Sequence, residues 1–508
     1  MESLRARPFH ELLWWCLPAL AIGGILRILL EIHFPYGYFQ ADTVDFLATA
    51  RQFLKNHSLV LHGKKAFLAP VLFTLPFLIK IPALWIIPAA QHLLGLVLTV
   101  ISGALTRHWF CRWKWFIIPV TLLTTINPAL LWYEHAALAE SHYLFCSMAL
   151  ALAGTAFTLR PTGGKLAWVI VALFFTAGSR PEGKLFVAFG ILLVTLVYWG
   201  EWRRWAKNIA IMLVASGLIW MSSRNTQAGL LLYATVLPLA PDAPKLAPDF
   251  GPWINPLRDQ YRAEGKTVRD NLVTAEKTVN DVVVEYLRAT GQRNRWNRGA
   301  FCQKLAVEAM LHEPLQLPVI ALNKFLMSCN LPTSGGFTQY WVQDKQHSSF
   351  LGKKWLFELM KGLTGIDLRT KEQVIAFINE KYQPLNPDWF AKLQTVWSSA
   401  TLTAPGEARH FGMAKVPRIP YFFVIVALGM LAAIVRPGAL QRFHIAWLLT
   451  FFGVWFVVLL TGVVNPRYRF VFEPFCVIYA LYFFDAVWSG VESLAATARK
   501  PTAAHAEL

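Results

Sequence analysis

The residues of this sequence best suited to chemistry are two carboxylates in the segment Phe39 to Phe46, namely Asp42 and Asp45. They follow an apolar stretch at residues 12–32 that is long enough to cross a bilayer. Charges at such positions cost on the order of 2.5 to 3.5 kcal/mol by insertion scales, so they are usually paired or functional. Asp is also a preferred helix cap, and the spacing of the following apolar residues predicts a short surface helix. From these residues alone, Asp42 can be interpreted either as a helix cap or as a catalytic base.

A second group of polar residues follows the third apolar stretch. His135, Glu140 and His142 lie between that stretch and the next, or inside the start of the next. A buried carboxylate needs a partner, a metal or a catalytic role. Carboxylates and imidazoles suit Mg, Mn or Zn, so Asp42 together with these three residues is a candidate site for a divalent metal. The alternative is that each histidine only satisfies its own hydrogen bonds.

Two further segments contain cations that suit a phosphate. Arg180 and Lys184 flank a Pro-Glu-Gly turn, and Arg467, Tyr468 and Arg469 form a second basic segment near the C-terminus. A guanidinium contacts a phosphate through two hydrogen bonds, and a nearby helix start adds a favourable dipole. Arg180, Lys184, Arg467, Tyr468 and Arg469 are therefore candidate phosphate ligands. For the first pair, anchoring at the membrane interface is the alternative.

Composition defines the class of protein. The chain is 55% hydrophobic and 15% charged with a mean hydropathy of +0.41, whereas soluble domains are about 25% charged. Its net charge of +18 comes mostly from short loops between apolar stretches, as membrane insertion requires, and does not indicate nucleic-acid binding. The six cysteines contain no CxxC motif, which argues against a zinc-ribbon or disulfide scaffold. A Cys302–Cys329 pair remains open.

Apolar stretches predict an all-α polytopic membrane protein with about ten transmembrane helices. The stretches cover residues 12–32, 82–106, 116–133, 137–158, 166–179, 184–200, 208–223, 420–435, 444–462 and 474–490. Basic residues cluster in alternate loops, which are therefore cytoplasmic, and both termini are predicted to be inside. The first stretch is interpreted as an uncleaved anchor. Arg27 and Glu31 are four residues apart in it and are predicted to pair.

The same map divides the chain into modules. Residues 1–223 are predicted to form an N-terminal transmembrane catalytic module whose first outer loop is 33–80, and residues 224–419 a mainly helical extracytoplasmic domain. Residues 420–490 form C-terminal transmembrane helices with an outer loop at 463–473, followed by a cytoplasmic tail, 491–508. Within the second module, Leu315 to Ser328 is too short for a span and is predicted to be an interfacial or buried helix.

The chain resembles the GT-C glycosyltransferases in several of these motifs. The motifs occur in the same order and on one predicted side of the membrane. That superfamily includes the protein mannosyltransferases, the aminoarabinose transferases of lipid A and the RgtA/B/C/D-like group. The resemblance covers about the first 220 residues and the last outer loop. It rests on Asp42 with Phe46, Asn127-Pro128 followed by Glu140, the turn Arg180 to Gly183, and Arg467 to Arg469. The family usually has Asp-Glu in the first loop; here Thr43 follows Asp42, so either Asp42 acts alone or Asp45 supplies the second carboxylate.

The resemblance implies inverting transfer of a sugar from a polyprenyl-phosphate donor to a glycan, lipid or protein acceptor. Asp42 would be the general base, the arginines would bind the donor phosphate, and Glu140 would hold the acceptor, the sugar or a metal. No nucleotide cofactor is expected, and a divalent metal is possible. The enzyme would lie in a bacterial inner membrane with its active site facing the exterior. The alternatives are an O-antigen ligase or polymerase and a transporter or lipid flippase.

Overall fold

The structure is a computed structural model that describes most of the chain. The described residues are 9–38, 41–57, 66–220, 228–263, 272–292, 298–330, 360–381, 387–400, 421–461 and 472–498; a few side chains within them, including that of Asp42, are not described. Helices dominate these ranges, and the β pairing found in them is an isolated bridge between Tyr38 and Ala136. The predicted all-α fold class is confirmed.

The first 220 residues form a bundle of apolar helices. In chain order they are α1 (Phe9–His33), α2 (Ala41–Asn56), α3 (Leu68–Leu72), α4 (Leu75–Ile79), α5 (Ala83–Trp109), α6 (Trp113–Thr125), α7 (Pro128–His135), α8 (Glu140–Leu159), α9 (Gly163–Ser179), a 3-10 helix (Pro181–Phe186), α10 (Val187–Val197) and α11 (Trp202–Trp220).

The remaining helices form a smaller bundle and then return to the apolar one. They are α12 (Ala228–Val236), α13 (Gly251–Ala263), α14 (Leu272–Ala289), α15 (Arg298–His312), α16 (Gln316–Asn330), α17 (Lys371–Lys381), α18 (Asp388–Ala400), α19 (Tyr421–Val435), α20 (Gln441–Thr461) and α21 (Glu473–Ala498).

Each of the ten apolar stretches predicted from the sequence overlaps a helix among the described residues. Among the described residues, five helices (α1, α5, α8, α20 and α21) are long and apolar enough to cross a bilayer. The third stretch is the bent pair α6–α7, which changes direction by 47° between Thr125 and Pro128; counting it and the pair α15–α16 as spans raises the number to seven. The α9 and α19 helices have 17 and 15 residues, shorter than the roughly 20 that a 30 Å hydrocarbon layer requires.

The basic loops gather at one end of the bundle, which we call the basic end. The backbone N–H of Arg112, after α5, donates to the buried Asp485 carboxylate of α21 at 2.9 Å, and Arg436, after α19, reaches the same carboxylate at 3.2 Å. Arg442 donates to the carbonyl of Val197 at the end of α10. The opposite end, where α1 and α9 end and α8 begins, is called the site end.

The predicted domain 224–419 contributes to two hydrophobic cores. Residues of α12 to α16 surround Tyr233 and Tyr286 in a separate core, whereas α17 and α18 place Phe377 and Phe390 in the large core of the apolar bundle. The proposed domain boundaries remain a prediction.

The Leu315–Ser328 segment and the two cysteines also fall within this region. Most of that segment is in α16, which bends by 110° from α15 and lies against α20; the buried Lys324 amine donates to the carbonyl of Leu459 there. Cys302 lies in the smaller core and Cys329 in the large one, and no disulfide joins them.

Candidate functional site

A buried ion pair holds α1 against α7 near the site end. Arg27 makes two hydrogen bonds of 2.8 Å to the Glu134 carboxylate, and its remaining nitrogen donates to the carbonyl of Gly23 and the hydroxyl of Thr125. The prediction that Arg27 pairs with Glu31 is therefore wrong. Both share one helix face, but Glu134 comes from the facing helix and offers two coplanar oxygens that match the guanidinium fork.

The α5 helix makes room for this pair and adds a histidine to it. A Cβ built on Gly95 would lie 1.7 Å from Glu134 Oε1, so a side chain at this position is incompatible with the ion pair. His92, one turn earlier, has its Nδ1 3.0 Å from the same carboxylate. Sequence reasoning did not single out His92 or Glu134; a histidine and a carboxylate inside apolar stretches were the available signal.

The segment that follows α1 runs beside the segment that follows α7. Tyr38 and Ala136 form a parallel bridge, in which Tyr38 N donates to His135 O at 2.9 Å and Ala137 N donates to Tyr38 O at 3.0 Å. Because the bridge is parallel, the two segments leave it in the same direction. Each segment has a predicted carboxylate four residues later, Asp42 after Tyr38 and Glu140 after Ala136. The backbone thus brings the two motifs to the same end of the bundle.

The α2 helix contains both predicted first-loop carboxylates. Asp42 lies in its first turn, as the cap interpretation requires, but the side chain of Asp42 is outside the described residues. Asp45 is exposed. The helix is anchored through Phe46, which packs edge-on against Phe73 with ring centroids 6.0 Å apart; Phe73 in turn packs against His142 in the first turn of α8.

Arg180 joins the start of α8 to the turn after α9. Its guanidinium donates to Glu140 through Nη1 and to Glu182 through Nε, and its Cζ lies 5.9 Å from the Tyr143 ring centroid. Glu140 is fully buried and Arg180 is 9% exposed. Two of the predicted site residues, from different motifs, are therefore in direct contact.

The Pro-Glu-Gly turn has a tightly packed backbone. It forms the 3-10 helix Pro181–Phe186, in which Gly183 N donates to Arg180 O at 3.0 Å. A Cβ on Gly183 would lie 2.1 Å from the carbonyl oxygen of Thr176, so only glycine permits this approach to α9. Lys184, half-buried, follows in the same 3-10 helix.

Asn127 connects this region to the last helix of the chain. Its side-chain oxygen caps α7 by accepting from Ala129 N and Leu130 N at 2.8 and 3.2 Å, and its amide donates to Glu473 Oε2 at 2.9 Å. Glu473 is the first residue of α21. The neighbouring predicted phosphate ligands, Arg467, Tyr468 and Arg469, lie outside the described residues.

A long apolar groove of about 590 Å³ runs along α8 and α9 and begins at His142, two residues after Glu140 in the sequence. His142 and Cys146 line it near the site end, and Ala156 and Lys165 line it near the basic end. Trp168, on the α9 side of the groove, is 68% exposed, so the groove opens laterally to the surroundings of the bundle.

The four predicted metal ligands belong to different surroundings. His135 lies next to His92 and Glu31, Glu140 is bonded to Arg180, and His142 lines the groove. Because His135 ends α7 and Glu140 begins α8, the connection between them turns the two side chains into separate clusters. A shared metal site for Asp42, Glu140, His135 and His142 remains a prediction.

Comparisons with known proteins give a distant likeness among solved structures. A scan against family models found no match, and a search of curated proteins found no significant match. Among solved structures, the crystal structure of ArnT from Cupriavidus metallidurans bound to undecaprenyl phosphate is similar at 14% identity and a TM-score of 0.31, over 93% of this chain and 77% of that chain. Values this low identify neither a fold family nor an activity.

Proposed function

We propose that the protein is a membrane glycosyltransferase that transfers a sugar from a polyprenyl-phosphate donor to an acceptor at the site end. The observation that supports this most is that the buried Glu140–Arg180 pair and the start of the apolar groove at His142 lie at the same end of the bundle. A donor of this class has a charged head and a long apolar tail, and these two features are complementary to it.

The groove has the length and chemistry that an isoprenoid tail needs. From His142 to Ala156 it follows 14 residues of α8, or about 21 Å of helix axis, roughly two thirds of a 30 Å hydrocarbon layer. Its volume of about 590 Å³ lies within the range of specific ligand sites. Since it opens sideways past Trp168, a lipid enters from the bilayer without crossing water.

Arg180 and the pair Arg467 and Arg469 have different proposed roles, because Arg180 is already paired with carboxylates. Arg180 is bonded to two carboxylates, so Glu140, Glu182, Arg180 and Lys184 together have no net formal charge. A phosphate with developing negative charge then needs further cations, and Arg467 and Arg469, with Tyr468 between them, are the proposed source. Glu140 acts on the donor through Arg180, whose guanidinium it orients, and is a positioning residue in this mechanism.

The reaction we propose is an inverting displacement. The acceptor hydroxyl attacks the anomeric carbon, the bond from that carbon to the phosphate oxygen breaks, and the polyprenyl phosphate leaves with the electron pair. Asp42 accepts the hydroxyl proton as general base, and Asp45 is the possible second carboxylate. The acceptor is a glycan, lipid or protein, and the site faces the extracytoplasmic side because the basic loops face the cytoplasm.

A transporter is the second candidate, and one observation favours it. The bent pair α6–α7 and the intramembrane charges Arg27 and Glu134 are features of transporters that move ions or lipids. However, the two charges are bonded to one another, Arg27 also donates to the carbonyl of Gly23, and the groove itself contains few polar groups. A transferase explains the groove and the outer charges better.

The experiment is a transfer assay on purified protein in nanodiscs, with a panel of synthetic polyprenyl-phosphate hexoses and pentoses and with envelope glycans and lipids as acceptors. We expect Asp42→Asn to lower the rate by about 10² to 10⁴, the usual contribution of a general base. The matched control is Asp45→Asn, an isosteric change on the same helix for which we expect a smaller loss. If Asp42→Asn keeps full activity, or if wild type flips the lipid without transferring its sugar, the proposal is wrong.

A further inference from the structure

Glu31, His92 and His135 form a compact group on three different helices. His92 Nε2 lies 3.2 Å from His135 Nδ1, Glu31 Oε1 lies 3.6 Å from His92 Nε2, and Glu31 Oε1 lies 3.9 Å from His135 Nδ1. The three atoms thus face a common point between the ends of α1 and α7 and the first half of α5. Both histidines are buried, and Glu31 is 31% exposed.

The proton positions on His92 leave a lone pair directed at this point. Its Nδ1 is 3.0 Å from Glu134 Oε2, and since a carboxylate only accepts, Nδ1 must carry a proton. In the neutral ring, Nε2 is then unprotonated and accepts from His135 Nδ1 at 3.2 Å, a hydrogen bond that a shared ion would replace. A carboxylate that fixes the tautomer of a histidine in this way is a frequent neighbour of metal ligands.

The distances to Glu31 fit a shared ion better than direct hydrogen bonds. At 3.6 and 3.9 Å, Glu31 Oε1 is too far from either ring nitrogen for a hydrogen bond, and this buried oxygen has no other hydrogen-bond partner. Two ligand atoms that are each about 2.0 to 2.1 Å from a tetrahedral Zn²⁺ lie about 3.4 Å apart. Of the observed separations, 3.2 Å is slightly shorter than this distance and 3.6 and 3.9 Å are slightly longer, so an ion of this size requires only small shifts of the side chains.

The surrounding charges also favour a cation. The neighbouring Arg27 and Glu134 neutralise one another, so the Glu31 carboxylate is the remaining formal charge of this cluster. A partly buried carboxyl group beside two neutral imidazoles needs either a proton or a positive ion, and an ion at the common point of the three ligand atoms would take the place of that proton.

We propose that Glu31, His92 and His135 bind a divalent transition-metal ion of the Zn²⁺ class, with two imidazole ligands and one carboxylate. Three protein ligands leave a fourth coordination position for water, and partly exposed Glu31 is on the side from which the ion enters. The site differs from the set Asp42, Glu140, His135 and His142, with which it shares one histidine.

The ion positions the site end of the bundle. Glu31 lies two residues before the end of α1, and His135 provides the carbonyl that accepts from Tyr38 N. An ion between them fixes the segment that leads into α2 and hence the start of the helix that contains Asp42. Its role is to hold this segment in place, at a distance from the transferred sugar.

The test measures metal content directly, so it does not depend on transferase activity. The full chain is purified with a tag free of histidine and analysed by inductively coupled plasma mass spectrometry. We expect about one Zn²⁺ per chain in wild type and a loss of most of it in Glu31→Gln and His92→Gln. His142→Gln is the discriminating variant, because His142 is buried nearby but lies outside the group; we expect it to keep its metal.

A second measurement, Co²⁺ binding to wild-type protein, tests the proposal even if the variants fail to fold. Wild-type protein stripped with a chelator is titrated with Co²⁺, and we expect the intense visible bands of tetrahedral cobalt together with a higher melting temperature. Wild type that neither contains metal nor binds Co²⁺ overturns the proposal. It is equally overturned if the metal is lost in His142→Gln but kept in Glu31→Gln and His92→Gln, since the ion would then lie in the other set.

Discussion

Two buried Arg–Glu pairs near the site end differ in what surrounds them. Arg27 and Glu134 lie between helices, and the donors of Arg27 are used by the Glu134 carboxylate, a main-chain carbonyl and Thr125. Arg180 and Glu140 lie at the end of the bundle where the apolar groove begins, and a second carboxylate, Glu182, shares the guanidinium. The two ion pairs therefore differ in setting. The first joins helices, and in the mechanism proposed above the second orients a cation that binds the donor phosphate.

The largest loss of stability among these variants is expected from Glu134→Gln. Removing the carboxylate leaves the Arg27 charge buried without its counterion, which costs about 3 to 5 kcal/mol, and thermal unfolding in detergent should show a clearly lower melting temperature. The control is Arg27→Leu combined with Glu134→Leu, because replacing both partners of a buried pair is often close to neutral. A single variant as stable as wild type would show that the pair does not hold the spans together.

Glu140→Gln should lower the transfer rate more than it lowers the stability of the protein. Arg180 keeps Glu182 as a partner, so the loss of stability is smaller than for Glu134→Gln, while the guanidinium loses the contact that orients it. We expect the transfer rate to fall by about 10- to 100-fold, about 1.4 to 2.7 kcal/mol in activation free energy. Kinetics and melting temperature are measured on the same preparation. If Glu140→Gln mainly lowers the melting temperature and leaves the rate unchanged, both pairs are structural.

A smaller loss of stability is expected when the contact between α7 and α21 is changed. Asn127→Asp keeps the oxygen that caps α7 but places a carboxylate against Glu473, and we expect a loss of about 1 kcal/mol in stability. Adding Glu473→Gln should recover part of the loss, because the glutamine amide can donate to the new carboxylate. A double variant that is less stable than Asn127→Asp alone would contradict the Asn127–Glu473 hydrogen bond as the cause.

The sequence predicted the helices well and the contacts of their polar residues less well. Apolar length alone located all ten segments, because lipid requires helices to satisfy their own backbone. The partner of Arg27 was missed because Glu134 is 107 residues away, and local spacing favoured Glu31. The Asn127–Glu473 contact, over 346 residues, likewise depends on packing. Glu140 and Arg180 were expected at one end of the bundle, and their direct contact followed only from the fold.

The central claim is that the groove and Arg180 together hold a polyprenyl phosphate. Native mass spectrometry of the protein in nanodiscs compares undecaprenyl phosphate with undecaprenol, in wild type, in Arg180→Gln and in Ala153→Trp, which fills the groove. We predict about tenfold tighter binding of the phosphate lipid to wild type, since hydrogen bonds to charged groups contribute about 1.5 to 3 kcal/mol. Arg180→Gln should reduce this preference, with Arg467 and Arg469 supplying the remainder, and Ala153→Trp should weaken both lipids. Equal binding of the two lipids, or binding unaffected by both substitutions, would contradict the claim.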